Sequence, residues 1–170
     1  PLRLVYRGLG ELSMIFSIGL LIPGFGFLVA SRHMNQDGLL FIAPLMLYGL
    51  AFILTVEIPD MESDRLGSKL TWVARKGRGF GFVLIAVAFL LATLFFLFFP
   101  LLTSRIYPLD FRFLGILSLL PLAAGFIGML KRPAEKQSAT RFVNGIMGTF
   151  AVFIILVDGY LIYLVFGHML

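Results

Sequence analysis

The sequence contains no cysteine. Disulfides, thiolate metal sites and cysteine nucleophiles are therefore excluded, and cysteine usage gives no clue to the redox compartment. Histidine is almost as scarce. His33 and His168 are the only two, so a multi-histidine metal centre is excluded as well. Charge is also sparse: Asp, Glu, Lys and Arg make up 14% of the 170 residues, against about 25% in an ordinary soluble domain. A water-soluble fold of this size has too much surface to cover with so few charges. The remainder is apolar, with 59% hydrophobic residues and a mean hydropathy of +0.99. The expected class is an all-α integral membrane protein forming a single membrane domain. In such a chain the net charge of +5 reports loop topology rather than a nucleic-acid partner.

A bilayer-crossing helix needs about 20 mostly apolar residues. Five stretches meet or nearly meet that length, at about 12–31, 38–56, 79–104, 113–130 and 142–167. The first four contain no Asp, Glu, Lys or Arg, and the fifth is interrupted only by Asp158. Within lipid each backbone polar group must be satisfied inside its own segment, so all five are expected to be helices. Pro23, Pro44 and Pro121, with nearby glycines, mark kinks or close packing. The first stretch is too long for a signal-peptide core and is followed by four more, so it reads as a span. The chain opens Pro1-Leu2-Arg3 rather than with Met, which suggests that something precedes it.

The basic residues sort by side. With the N-terminus on side one, that side holds Arg3 and Arg7, the five from Arg65 to Arg78, and the four from Lys131 to Arg141. Side two holds Arg32, Arg105 and Arg112, a split of 11 against 3. Loops rich in Lys and Arg stay cytoplasmic. The expectation is a bacterial-type inner-membrane protein with its N-terminus and loop 57–78 in the cytoplasm and its C-terminus on the opposite side. The run Phe95-Phe96-Leu97-Phe98-Phe99 is expected to face lipid or pack against neighbouring helices. The pairs Gly125/Gly128 and Gly145/Gly148 are expected to let helices approach. Trp72 and Tyr107 read as interface anchors, and Asn144 and His168 as interfacial residues.

Four of the nine acidic residues fall within eight positions, in Glu57-Ile-Pro-Asp60-Met-Glu62-Ser-Asp64. If the second helix continues there, Glu57, Asp60 and Asp64 share one face at i, i+3 and i+7, with Glu62 turned away. Pro59 makes that geometry approximate. Carboxylates on one face repel unless a cation neutralises them. A Mg²⁺ ion held by a few carboxylates together with substrate phosphate would do so. A solvated, charged helix end is the other reading. The cations that follow, Arg65, Lys69, Arg75, Lys76 and Arg78, would suit a metal-bound diphosphate, and they also suit a plain cytoplasmic loop. Charge alone does not separate these readings.

The run Val56-Glu57-Ile-Pro-Asp60-Met-Glu-Ser-Asp64-Arg-Leu-Gly67-Ser-Lys69-Leu-Thr71-Trp-Val-Ala-Arg75-Lys-Gly77 resembles the second aspartate-rich motif of the UbiA superfamily of intramembrane prenyltransferases. Asp60 and Asp64 match its acidic core, and Glu57 stands where the family usually has Asp. Lys69, Thr71, Arg75 and Gly77 fit its tail. The opening Leu4-Val-Tyr6-Arg7-Gly8-Leu9-Gly10-Glu11 resembles the segment before the family's fifth helix. It is most similar to the dihydroxynaphthoate-prenylating branch of menaquinone biosynthesis and to (bacterio)chlorophyll synthases. After residue 78 the likeness is one of topology. The five spans would be helices 5–9 of the nine-helix bundle. The family's first acidic motif, Asn-x-x-x-Asp-x-x-x-Asp, does not occur in this chain.

The resemblance implies Mg²⁺-dependent transfer of an allylic prenyl group from its diphosphate to an aromatic acceptor, either a quinone precursor or a tetrapyrrole. It implies Asp60 and Asp64 as metal ligands with Glu57 as a candidate third. It implies Lys69 and Arg75 as diphosphate ligands, with Arg65 and Arg78 as surface cations. No side chain serves as a catalytic nucleophile. With one acidic cluster the chain is expected to be inactive alone, needing an N-terminal half or other membrane subunits besides the lipids around it. The alternative is a non-catalytic subunit, a shortened relative packed in a respiratory or photosynthetic complex. Asp158, about 16 residues past Phe142, would lie roughly 24 Å along its helix. It is either an interfacial group or a polar intramembrane contact. A transporter is the weakest reading, because Asp158 is the only charge inside a span.

Overall fold

The computed structural model describes residues 3–34, 36–102 and 109–166. All regular structure among them is helical. A 3-10 turn (Leu4–Arg7) leads into α1 (Gly10–Met14), a π-helical stretch (Ile15–Leu21) and α2 (Ile22–Ser31). Then follow α3 (Gln36–Leu66), α4 (Trp72–Lys76), α5 (Arg78–Leu102), α6 (Phe111–Leu117), α7 (Leu119–Lys131) and α8 (Lys136–Phe166). Five helical stretches are long and apolar enough to cross a membrane: Gly10–Val29, Leu39–Leu66, Arg78–Leu101, Phe111–Lys131 and Lys136–Leu164. The chain reads as a membrane protein whose apolar helices suit contact with lipid.

The helices outrun the hydropathy pattern. α3 has 31 residues, about 46 Å at 1.5 Å per residue, against a hydrocarbon core of about 30 Å. It therefore carries Glu57 to Asp64 as its last turns, where the sequence suggested a loop 57–78. Pro44 and Pro59 both lie inside it. The fourth span is broken at Ser118, whose buried hydroxyl lies 2.7 Å from the Gly115 carbonyl oxygen and 2.9 Å from Thr93 Oγ1 of α5. These contacts hold the break against the central helix.

α3 and α5 form the core, with Leu54, Ile58, Phe82, Phe89 and Phe99 almost fully buried. The Phe-rich run divides: Phe96 and Phe99 are buried, while Phe98 is exposed. The two glycine pairs diverge as well. A Cβ on Gly125 or Gly128 would meet Phe89 or Phe82 of α5 within 3.0 Å, whereas one on Gly145 or Gly148 meets nothing within 4 Å. Only the first pair marks a close approach. Arg105, Tyr107 and His168 lie outside the described residues, and Asn144 is exposed on α8.

Three contacts gather the basic segments at one end. The Leu70 N–H donates to the Val5 carbonyl over 3.1 Å. The Trp72 N–H donates to the Glu11 carboxylate, and Arg78 Nη1 donates to the Ala134 carbonyl over 3.0 Å. At the opposite end Asp110 caps α6, and its own N–H donates to the Tyr160 hydroxyl of α8 over 3.0 Å. The sorting of charges by side thus has its counterpart in the packing.

Candidate functional site: an acidic helix end closed by a basic turn

α3 ends in a tight reversal. The Gly67 N–H donates to the Ser63 carbonyl over 2.9 Å, and Ser68 takes a left-handed φ of 54°. The Lys69 N–H returns to the Asp64 carbonyl over 2.9 Å. This reversal brings the Lys69 side chain back over Asp64, with Nζ 2.8 Å from Oδ1. Thr71 then caps α4, its Oγ1 accepting from the Ala74 N–H over 3.2 Å, and approaches Asp64 Oδ2 at 3.5 Å. Asp64 is buried, while 43% of the Lys69 side chain is exposed. The hydrogen bond to Asp64, and then its negative charge, hold Lys69 above the ordinary lysine range.

Glu57 is buried one face inward, beside the Val73 backbone N–H and facing the carboxyl group of Glu11. Glu11 is fully buried, and its Oε1 accepts the Trp72 N–H. The second oxygens of Glu11 and Glu57 have no hydrogen-bond partner. Asp60 is exposed. Its carboxylate makes no hydrogen bond or ion pair among the described residues, although its charge reaches Lys69. Arg75 lies against Gly8 of the N-terminal turn, where a Cβ would sit 3.0 Å from Nη1. Gly8 has φ 71°, so the position is reserved for glycine on both counts.

Glu57, Asp64 and Lys69 therefore meet at one junction, with Asp60 on its outer rim, while the Arg75 guanidinium sits against the N-terminal turn. Asp158 does not join them. It lies two residues before Tyr160, at the other end, and lines a cavity of about 670 Å³ bounded by the first span, α3, α5, α6 and α8. Arg78, expected at the surface, is buried. Its Nε donates to the Ile58 carbonyl over 3.1 Å, Nη1 to Ala134, and Nη2 to Glu62. Arg65 Nε donates to the Ala74 carbonyl over 2.7 Å. Both arginines tie the turn to the bundle.

The sequence reading also overlooked Glu11. Its only signal was an acid placed just before an apolar run. As for Mg²⁺, the donors are hard oxygens, one buried oxygen of Glu57 is unpartnered, and Asp60 is unpaired among the described residues. Donors of that type are the ones an ion shared with substrate phosphate would use. They do not form an all-protein cage, since no three His, Cys, Asp or Glu among the described residues come together as a metal group. Comparison with protein-family models, with curated proteins and with solved structures finds no match for this chain.

Proposed function

We propose that this chain is the C-terminal half of a UbiA-type intramembrane prenyltransferase, moving an allylic prenyl group from its diphosphate to an aromatic acceptor. The observation that carries the reading is the turn that folds Lys69 and Thr71 back onto Asp64 at the mouth of an apolar bundle. In this reading the basic end is cytoplasmic. Asp60 and Asp64, with Glu57 behind them, would hold Mg²⁺, which when bound draws charge from the departing diphosphate.

The chain's own residues have separate tasks. Lys69 is exposed enough to leave Asp64 and pair with phosphate oxygens, and Arg75 would add a second cation to share that charge. Arg65 and Arg78 fix the turn so that these cations need little reordering on binding. The apolar walls below, from Phe52 toward Phe41, would house the prenyl chain and keep water from the developing allylic cation.

Asp60 gives a clean test because its carboxylate bonds to nothing among the described residues. In membranes carrying this half together with its N-terminal half, Asp60→Ala is expected to leave thermal stability unchanged. The same substitution should remove Mg²⁺-dependent transfer from a radiolabelled allylic diphosphate. Transfer that survives it sinks the reading. A non-catalytic subunit is the second reading, favoured by the sparse packing of the outer spans. Only 6% of the first span's apolar window and 11% of the last span's are buried, which leaves faces for a neighbour. Fixed-stoichiometry co-purification without diphosphate dependence is its signature.

A further inference from the structure

A groove between α7 and α8 takes no part in the acidic junction. It holds about 290 Å³, bounded by Ala124 and Ile127 on one side and by Arg141, Phe142, Gly145 and Thr149 on the other. A Cβ on Gly145 would meet nothing within 4 Å, so no side chain of the protein occupies the space above it. Thr149 Oγ1 donates to the Ile146 carbonyl over 2.9 Å. Inward of Arg141 the groove therefore suits hydrocarbon.

Its charge lies at one end. Arg141, Gly145 and Thr149 stand at i, i+4 and i+8 on one face of α8, so the groove runs inward from Arg141 for about 12 Å. On α7, Ala124, Ile127 and Lys131 stand at i, i+3 and i+7, which sets Lys131 at the same mouth. Arg132 and Lys136 follow, and all four cations are exposed. Glu135 is the one acid between Lys131 and Arg141, and Glu62 of α3 is engaged by Arg78. α8 has 31 residues, about 46 Å, against a hydrocarbon core of about 30 Å. Its first turns, Arg141 included, thus reach the level of the lipid headgroups.

We propose that this groove binds one anionic phospholipid, its phosphate on Arg141 with Lys131 at the same mouth, and an acyl chain laid over Gly145. A basic pocket between two spans at the membrane surface matches an anionic headgroup, and the planar guanidinium fork matches a phosphate. A zwitterionic lipid would fill the apolar part but leave the excess positive charge unmatched. This inference goes beyond the transfer reaction and uses none of its residues.

The test uses the whole protein in phosphatidylcholine bilayers with two trace probes, a phosphatidylglycerol and a phosphatidylcholine carrying the same diazirine acyl chain. The phosphatidylglycerol is expected to label 124–127 and 142–149 about fivefold more than the phosphatidylcholine does. The first span, Gly10–Val29, should show a much smaller excess. Arg141→Gln should bring the groove's excess down to that of the first span. Gly145→Leu, whose side chain would fill the groove, should lower its labelling by both probes while every cation stays. Equal labelling of the wild-type groove by the two probes overturns the proposal. So does an excess that survives Arg141→Gln or is as large on the first span, since attraction to the basic end at large would then explain it. Labelling unchanged in Gly145→Leu overturns it, and so does a wild-type groove that neither probe enters. If inorganic phosphate removes the excess where chloride of equal ionic strength does not, the mouth reads a free anion and the proposal fails. No allylic diphosphate or divalent ion enters the experiment, so its failure leaves the prenyl-transfer reading standing.

Discussion

At the basic end, Glu11, Asp64, Thr71 and Arg78 are buried, and each is bonded to another segment of the chain. In the other half of the bundle, a cavity of about 670 Å³ contains a single carboxylate that bonds to nothing among the described residues. The first half is specified by direction: Asp64, Thr71 and Arg78 each have partners that only one arrangement of the turn brings together. The second half is specified by shape, with aromatic contacts that tolerate sliding. A turn that must present charges needs the first kind of order. A chamber for greasy molecules works with the second. Breaking the polar end should therefore be costly, and reshaping the apolar half should be cheap except where two backbones touch.

Arg78 is where that contrast breaks most severely. Its guanidinium joins α3, α5 and the segment before α8 through Ile58, Glu62 and Ala134. Glu62 is half exposed, so its loss adds little, but two carbonyls lose a charged donor. Arg78→Ala is expected to destabilise the protein by about 3 kcal/mol. Arg78→Lys should recover only a small part, because a single ammonium cannot reproduce the fork. Reversible unfolding in mixed micelles measures both. If Arg78→Ala unfolds together with the wild type, the polar end is not the rigid half.

The apolar half offers a sharper version of the comparison, at two glycines. A Cβ on Gly19 would lie 2.5 Å from Met46 Cα, a backbone atom that cannot swing aside. Gly19→Val should force the first span off α3, costing about 1–3 kcal/mol. Gly148 has open space around it, so Gly148→Ala should be neutral or stabilise by about 0.5–1 kcal/mol. The same unfolding measurement separates them. Equal effects would mean that the crossing at Gly19 is not a true backbone contact.

The five spans were legible because a run without charge is a direct statement about lipid. Their ends were less so. α3 runs on to Leu66 and α8 starts at Lys136, since hydropathy marks where lipid stops, while backbone hydrogen bonds continue the helix into water. The pairing of Lys69 with Asp64 was not read from the sequence, where Lys69 is expected to meet diphosphate and Asp64 a metal; the pairing depends on the reversal at Gly67 and Ser68. Nor was the role of Arg78: its partners lie 20 and 56 residues away, and nothing local distinguishes it from a loop cation. Gly125/Gly128 and Gly145/Gly148 have identical spacing, but only the first pair has Phe82 and Phe89 opposite it. That difference belongs to tertiary packing and cannot be read from spacing.

Glu11 gives a smaller change than Arg78 or Gly19, and the most discriminating one. Its Oε1 holds the Trp72 N–H, while its other oxygen and that of Glu57 have no partner. Two buried carboxyl groups side by side repel when both are ionised. Glu11→Gln keeps an acceptor for Trp72 and adds an N–H that can donate to Glu57, so it should stabilise the protein by about 1 kcal/mol. Glu11→Ala relieves the same repulsion but orphans the Trp72 N–H, and should destabilise it by a similar amount. Opposite signs for the two variants would show that Glu11 latches the N-terminal segment to α4 through its acceptor oxygen and not through its charge. A loss of stability in Glu11→Gln would mean that the charge itself is needed, and the junction would then have to hold a cation between Glu11 and Glu57.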